Sequence, residues 1–277
     1  MTIGLGLDTG GTYTDAVVMD LETGKVLRKA KSQTTREDLS IGIRNAISLL
    51  GIVGGVGVVS LSSTLATNSV VEGKGCRVAL VCMGSEYDES APADFTFTVA
   101  GAHDLHGNET EALDEDSVRG SLESVRGRVD GVAVNGYMAV RNPEHERRVR
   151  DIAHGILDVP VVCGHELSSS LGFNERAATC VMNARLIPVI EELLQSVNKV
   201  MAEFGIDAPL MIVKGDGSVM SEEMARIRPV ETILSGPASS INGARKLSGK
   251  DDAIVVDIGG TTTDIGVVRD GKPRLDP

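Results

Sequence analysis

Residues 8–15 read DTGGTYTD, and residues 257–264 read DIGGTTTD. Each copy follows a short apolar run, at 3–8 and 253–258, and each leads into another, at 13–19 and 265–268. Paired glycines between two apolar strands predict a hairpin tip. With no side chain in the way, the amides of such a tip can face a phosphate. This reading gives Gly10, Gly11, Thr12 and Thr14 to phosphate contact in the first copy. Asp8, at the strand end, would hold a water of a hydrated Mg²⁺, an ion that seldom sheds all its waters. Gly259, Gly260, Thr261, Thr263 and Asp257 take the same roles in the second copy. One copy alone would be explained by a tight turn with threonines. Two near-identical copies in the same setting imply the starts of two related lobes with phosphates in the cleft between them. No GxxxxGK[ST] occurs, and the glycines lead into a strand and not a helix, so neither a P-loop nor a dinucleotide fingerprint is present.

The order along the chain is α/β. Strands are expected at 3–8, 13–19, 25–31 and 56–61, with an amphipathic helix over 36–50 that carries Leu39, Ile43, Ile47 and Leu50 and ends at Gly51. Further strands fall at 78–81, 131–134, 159–163 and 210–213. A long helical pattern covers 173–204, where Pro188 is expected to kink or restart the helix. The run TILSGPASSINGARKL places a helix start at Ser235-Gly236 with Pro237 in the first turn. Its stripe of Gly236, Ser240 and Ala244 would let another helix come close. The domain reading is a first lobe over 1–250, with its core at 1–75 and about 205–250. An α/β subdomain is inserted at about 76–204, and 251–277 begin a second lobe.

With 277 residues and 42% of them hydrophobic, the chain has ample material for a core, built from aliphatic side chains because only 3% are aromatic. A net charge of −12 argues against a nucleic-acid surface, which needs clustered Lys and Arg. Cys76, Cys82, Cys163 and Cys180 show no CxxC spacing and read as reduced thiols of a cytoplasmic protein. The opening residues do not have the pattern of a secretory signal. Residues 45–71 carry no charge, but glycines interrupt them, and they read as a helix end, a turn and a strand rather than a membrane span.

Other polar groups have two readings. Thr64, Thr67 and Asn68 either contact substrate or cap the next helix. Asn174 and Glu175, with Arg176, either face a cleft or cap the long helix and form a surface pair. Ser235 and Gly236 either touch a ligand or only begin a helix. His103 and His106 are spaced for a metal but lack further ligands. The run Glu144-His145-Glu146-Arg147-Arg148 reads as a solvated helix face.

Several stretches together resemble the hydantoinase/oxoprolinase family: STLATNSVVEGKG (63–75), NPEHERRV (142–149), GHEL (164–167), NERAATCVMNARLIPVI (174–190), MSEEMARIRPVETILSGPAS (220–239) and DIGGTTTDIGVV (257–268). They occur in the family's order and cover nearly the whole chain. The resemblance implies the actin-like ATPase (ribonuclease H-like) fold shared with actin, sugar kinases and heat-shock ATPases. It also implies ATP and Mg²⁺ as cofactors, with Asp8 and Asp257 organising the metal, and one of them orienting or deprotonating a nucleophile. The implied reaction is transfer of the γ-phosphoryl group to the carbonyl oxygen of a cyclic amide, a hydantoin or 5-oxoproline-like ring. The partner would be a B-type catalytic subunit; self-association is left open. A ketone carboxylase subunit, a small-molecule kinase and an ATPase switch are the alternatives. Two segments depart from the family pattern. Leu61-Ser62-Ser63-Thr64 stands where a His-Gly-Thr-Thr is common, and Lys214-Gly215-Asp216-Gly217-Ser218 where Ser-Asn-Gly-Gly is. Family members also continue well beyond this length, which implies a fragment that alone would bind ATP weakly or not at all.

Overall fold

The computed structural model describes residues 2–35, 37–51, 55–88, 93–258, 263–270 and 272–273. They divide into two compact units, Met1–Glu72 with Val189–Pro277, and Gly73–Pro188.

The chain opens with β1 (Ile3–Thr9) and β2 (Tyr13–Asp20), an antiparallel hairpin that β3 (Val26–Gln33) extends. Strict alternation buries Leu5, Leu7, Ala16 and Val18 on one face. Against that side packs α1 (Leu39–Leu50), whose Leu39, Ile43, Ile47 and Leu50 are buried. Asp38 caps α1 by accepting the Ser40 N–H, and Gly51, at φ +57°, ends it. Gly42 lets α1 approach β3, since a Cβ there would lie 2.8 Å from the Gln33 carbonyl oxygen. Glycine to alanine in a helix ordinarily gains about 1 kcal/mol. Gly42→Ala is instead expected to lose roughly 1–3 kcal/mol through overpacking, read from the urea unfolding midpoint. β4 (Val56–Ser63) then pairs in parallel with β1 and leads into α2 (Leu65–Val71).

The second unit follows, with β5 (Val78–Met83), β6 (Phe95–Val99), β7 (Ala102–His103), β8 (Glu109–Glu111), α3 (Glu115–Ser124), β9 (Gly131–Gly136), α4 (Glu144–Ile156), β10 (Val161–Cys163), α5 (Gly164–Leu167) and α6 (Phe173–Glu203). Its sheet is parallel in the order β10-β9-β5-β6 and fully buried along β5 and β9, while β7 and β8 pair as a small hairpin. β6, β7 and β8 are absent from the sequence reading, which followed apolar runs. The solvated-face reading of 144–148 is corrected, because His145 and Glu146 are buried at 2% and 0% exposure. Arg176 is likewise buried and not part of a surface pair.

α6 carries the chain back into the first unit. Pro188 does not break it. Proline lacks an N–H, so the Ala184 carbonyl loses its helical donor. The Cys76 thiol donates to that oxygen at 3.3 Å, and the Cys76 N–H reaches the Arg185 carbonyl at 3.4 Å. The division between units falls at Pro188 rather than near 204, because beyond it Ile190, Leu193 and Leu194 line a small void with Leu61 and Ile212 of the first unit. Next come β11 (Leu210–Val213), β12 (Val219–Ser221), α7 (Glu222–Ile227) and α8 (Ser235–Ser248). The first sheet thus reads β12-β11-β4-β1-β2-β3. β13 (Ala253–Ile258), β14 (Thr263–Arg269) and β15 (Lys272–Pro273) form a sheet of their own against α8. The small-residue stripe of α8 meets strands and the start of α2: a Cβ on Gly236 would lie 2.9 Å from Thr64 Cγ2, and Ser240 bonds to Asp257. No helix among the described residues is long and apolar enough to cross a membrane.

Candidate functional site

Register puts four polar side chains in one row across the first sheet. Lys31 lies opposite Asp15, Asp15 opposite Asp8, and Asp8 beside Ser62. The row is bonded throughout its ends: Lys31 Nζ lies 2.8 Å from Asp15 Oδ2, and Ser62 Oγ donates to Asp8 Oδ1 at 2.7 Å. Asp8 and Asp15 have no such bond between them. Burial pushes the Asp8 carboxyl above the ordinary aspartate value; Asp15 and Asp257 push it the same way, against the Ser62 hydroxyl and Lys31. A cleft of about 310 Å³ opens on this face, lined by Gly6, Asp8, Asp15, Ser60, Ser62 and Ser239 among others.

The second hairpin repeats the arrangement. Asp257 stands opposite Asp264, and Ser240 Oγ donates to Asp257 Oδ2 at 2.5 Å. Burial, then Asp257, raises the Asp264 carboxyl. Thr263 is exposed at the start of β14. Gly259, Gly260 and Thr261 lie outside the described residues. In both copies, then, the opening aspartate accepts a serine hydroxyl and faces the closing aspartate across the ladder. Like charges directly opposite destabilise a sheet, so packing gives no reason for the repeated pair.

The first hairpin tip needs two corrections. The Gly10 N–H already closes the turn by donating to the Tyr13 carbonyl at 2.9 Å, so that amide is committed inside the protein. Thr14 points to the opposite face from Asp8, fully buried, with its hydroxyl 3.0 Å from that of Thr34. Its phosphate role fails for the reason that sets every strand: neighbours alternate in direction. Thr12 remains exposed at the tip and Gly11 half-buried beside it.

Five of the substrate candidates, Thr64, Thr67, Asn68, Ser235 and Gly236, meet near this tip. The Thr64 N–H donates to the Thr9 carbonyl at 3.3 Å, and Asn68 Nδ2 reaches Thr64 Oγ1 at 3.4 Å. Thr64 occupies the N-cap of α2 without capping it through its side chain; Ser63 Oγ accepts the Leu65 N–H instead. Thr67 Oγ1 accepts the Leu234 N–H at 2.9 Å. The buried Ser235 hydroxyl accepts the Ser63 N–H and donates to the Ser63 carbonyl. Thr67 and Ser235 therefore fasten the start of α8 to α2 and to the end of β4, the strand that carries Ser62. Asn174 and Glu175 belong to the second unit, where Asn174 Oδ1 accepts the Asp88 N–H and Glu175 is exposed. The Lys214–Ser218 segment is the β11–β12 turn, with Lys214 paired to Glu231 at 2.8 Å. The His103/His106 pair is not a pair: His103 is buried, and His106 is exposed in a turn.

The sequence reading missed Asp15, Asp264, Ser62 and Ser240. The two aspartates close the repeated motif and were legible there. Ser60 and Ser62 alternate with Val59 and Leu61, which marks one polar face of β4. Nothing local marks Ser240.

Residues 4–157 match the family model for the hydantoinase/oxoprolinase N-terminal region, and residues 176–277 match that for hydantoinase/oxoprolinase. The caprolactamase subunit alpha of Pseudomonas jessenii is 28% identical over 308 residues, covering 98% of this chain and 44% of that protein. The acetophenone carboxylase gamma subunit of Aromatoleum aromaticum is 27% identical, covering 98% and 43%. Among solved structures, nucleotide-free acetone carboxylase superposes with a TM-score of 0.83 at 22% identity, over 98% of this chain and 45% of that one. The crystal structure of ATP-dependent caprolactamase from Pseudomonas jessenii gives a TM-score of 0.79 at 29% identity, over 95% and 43%. The chain thus spans less than half the length of these relatives. Its mixed α/β fold is the actin-like ATPase type of those subunits.

Proposed function

The chain belongs to the hydantoinase/oxoprolinase family, and we propose that it is the phosphate-handling part of an A-type subunit that uses Mg·ATP to activate a cyclic amide carbonyl. The observation that carries this reading is the duplicated carboxylate pair, Asp8 with Asp15 and Asp257 with Asp264, with Asp8 raised by burial and by its acidic neighbours. Such a set is short of positive charge: Lys31 acts on Asp8 but is itself paired with Asp15. It suits a hydrated Mg²⁺, which prefers carboxylate oxygens and keeps most of its waters.

When bound, Mg²⁺ would offset charge on the ATP phosphates. The chain's own work is positioning. Asp8 and Asp257 would hold the metal's waters, and the Ser62 and Ser240 hydroxyls fix the direction of each carboxylate. Thr12, exposed at the tip, with Gly11 beside it, is the part of the hairpin that would meet the phosphates. Thr64, beside the tip, is the polar group best placed to face the transferred phosphoryl. Thr67 and Ser235 act by holding that corner together. The γ-phosphoryl would pass from ATP to the carbonyl oxygen with ADP as the leaving group, and attack of water or another nucleophile on the activated carbon would then release inorganic phosphate. We read β13 to β15 as the start of a second lobe. The subunit names of the relatives support a second, B-type subunit as partner.

A cyclic amide is the first reading because of the caprolactamase relative. A ketone carboxylase subunit is the second, because of the acetophenone and acetone carboxylase likenesses. Phosphate release from Mg·ATP by the complete enzyme, with its partner subunit, separates them. Stimulation by a lactam, hydantoin or 5-oxoproline with ring opening supports the hydrolase. Stimulation that needs a ketone and bicarbonate supports the carboxylase. A stable phosphorylated product would instead mark a kinase and overturn both.

A further inference from the structure

The second unit holds a cluster that the phosphate chemistry does not use. His103 on β7 pairs in register with Glu109 on β8. His145, in the first turn of α4, lies with its ring centroid 4.2 Å from that of His103. Gly101, at φ +140°, makes room for it, since a Cβ there would come within 3.2 Å of His145 Nδ1. One potential ligand atom from each of His103, Glu109 and His145 lies within 4.8 Å of the other two.

The two imidazoles are 4% and 2% exposed, yet among the described residues His103 Nε2 and His145 Nδ1 have no hydrogen-bond partner. A buried polar atom left unpaired costs about 1–3 kcal/mol, so two in adjoining rings need an explanation. His145 Nε2 is held 2.9 Å from Glu109 Oε2. The Glu109 side chain is 46% exposed, which gives the cluster a route to solvent. Arg148, a cation that acts on Glu109, is taken up by Glu115. By contrast, the nearby grouping of Glu146, Cys163 and His165 has its polar atoms hydrogen-bonded already.

We propose that His103, His145 and Glu109 form a binding site for a transition-metal ion, Zn²⁺ in first place, with solvent completing the coordination. Imidazole nitrogens favour Zn²⁺ over Mg²⁺, and two histidines with one carboxylate and an open position is a known zinc donor set. Bonds of about 2.0–2.1 Å would require ligand atoms roughly 3.3 Å apart. The Glu109–His145 pair, at 2.9 Å, would open slightly, and the half-exposed Glu109 side chain can make that adjustment. The ion would tie the β7–β8 hairpin to α4. The site is separate from the carboxylate hairpins and does not depend on the proposed ATP chemistry.

The test is titration of the metal-free full chain with Zn²⁺ in excess Mg²⁺, which occupies the carboxylate hairpins, followed by Co²⁺ as a spectroscopic stand-in. One equivalent of Zn²⁺ should bind, and Co²⁺ should give visible absorption of tetrahedral intensity. His103→Gln and Glu109→Gln should each weaken Zn²⁺ binding about 10–100-fold, while His106→Gln leaves it unchanged. Glu109 is on an exposed hairpin edge, so its variant keeps the fold even if a change at buried His103 does not. Absence of binding, or equal affinity in the parent and Glu109→Gln, overturns the site.

Discussion

Glu146→Ala is expected to cost roughly 3–5 kcal/mol of unfolding free energy, the range for removing one partner of a buried charge pair. The carboxylate is 0% exposed. Its Oε1 accepts the Gly136 N–H at 2.7 Å, its Oε2 accepts the His165 N–H at 3.0 Å, and His165 Nδ1 adjoins Oε2. Arg176, 1% exposed, donates to the carbonyl of the same Gly136 at 2.7 Å. Two opposite charges thus hold the two ends of one residue where β9 finishes. Burial lowers the Arg176 pKa, and Glu146 is the leading influence that holds it up. Alanine would leave the buried Gly136 N–H and the part-buried His165 N–H without this acceptor, and a guanidinium without its counter-charge. The guanidinium keeps its bonds to the Ser170 and Gly172 carbonyls, so the fold should survive with a lower midpoint. Urea unfolding followed by far-ultraviolet circular dichroism measures the loss. A variant within about 1 kcal/mol of the parent, the worth of an ordinary hydrogen bond, would show that Arg176 does not rely on this carboxylate.

That interior pair marks the boundary of what could be read from the sequence. Segments whose own side chains decide their structure were legible. α1 announces itself by its apolar spacing and by Asp38 and Gly51 at its ends. The hairpin of β1 and β2 follows from glycines between alternating strands. Phe95–Val99 also alternates, as FTFTV, but a search for continuous apolar runs passes over it. What the sequence could not show is a polar group whose partner comes from far along the chain. EHERR looks like a solvated face until β9 and α6 supply an N–H and a guanidinium for Glu146. Pro188 looks like a break until a thiol 108 residues away takes up the orphaned carbonyl. The site divides in the same way. The repeat exposed Asp8 and Asp257, and the alternation rule could have removed Thr14 from the phosphate list. The hydroxyls of Ser62 and Ser240 are visible only once β4 and α8 are in place.

The cysteines complete this contrast. Cys82, Cys163 and Cys180 are buried, and Cys76 is half-buried. Burial pushes Cys76 up to about 11 and Cys82 up to about 12, and it raises Cys163 and Cys180 as well. They stay protonated at neutral pH, which makes them poor nucleophiles, and all four belong to the second unit.

Asp8→Asn should abolish Mg·ATP binding and cut phosphate release by about 10²-fold or more, while making the ligand-free chain more stable at neutral pH. The two effects share one cause. Asp8 is raised above its value of 3.8, by burial first and by Asp15 and Asp257 after it. Below 3.8 the carboxyl is protonated both folded and unfolded. Between that value and the raised one, the folded chain keeps a proton that the unfolded chain has lost, so stability falls as pH rises. Above the raised value the penalty is complete. Asparagine keeps an oxygen for the Ser62 hydroxyl and carries no charge, so it escapes the penalty. Parent and variant should therefore converge below pH 3.8 and separate above it, with the variant melting higher. Added Mg²⁺ should raise the parent's melting temperature and leave the variant's unchanged, because only a bound cation lets the parent recover what the buried charge costs. Calorimetric titration with Mg·ATP and melting curves across this pH range measure both. A variant that still binds the nucleotide, or that melts below the parent at pH 7, would remove Asp8 from the metal and return it to a structural role beside Ser62.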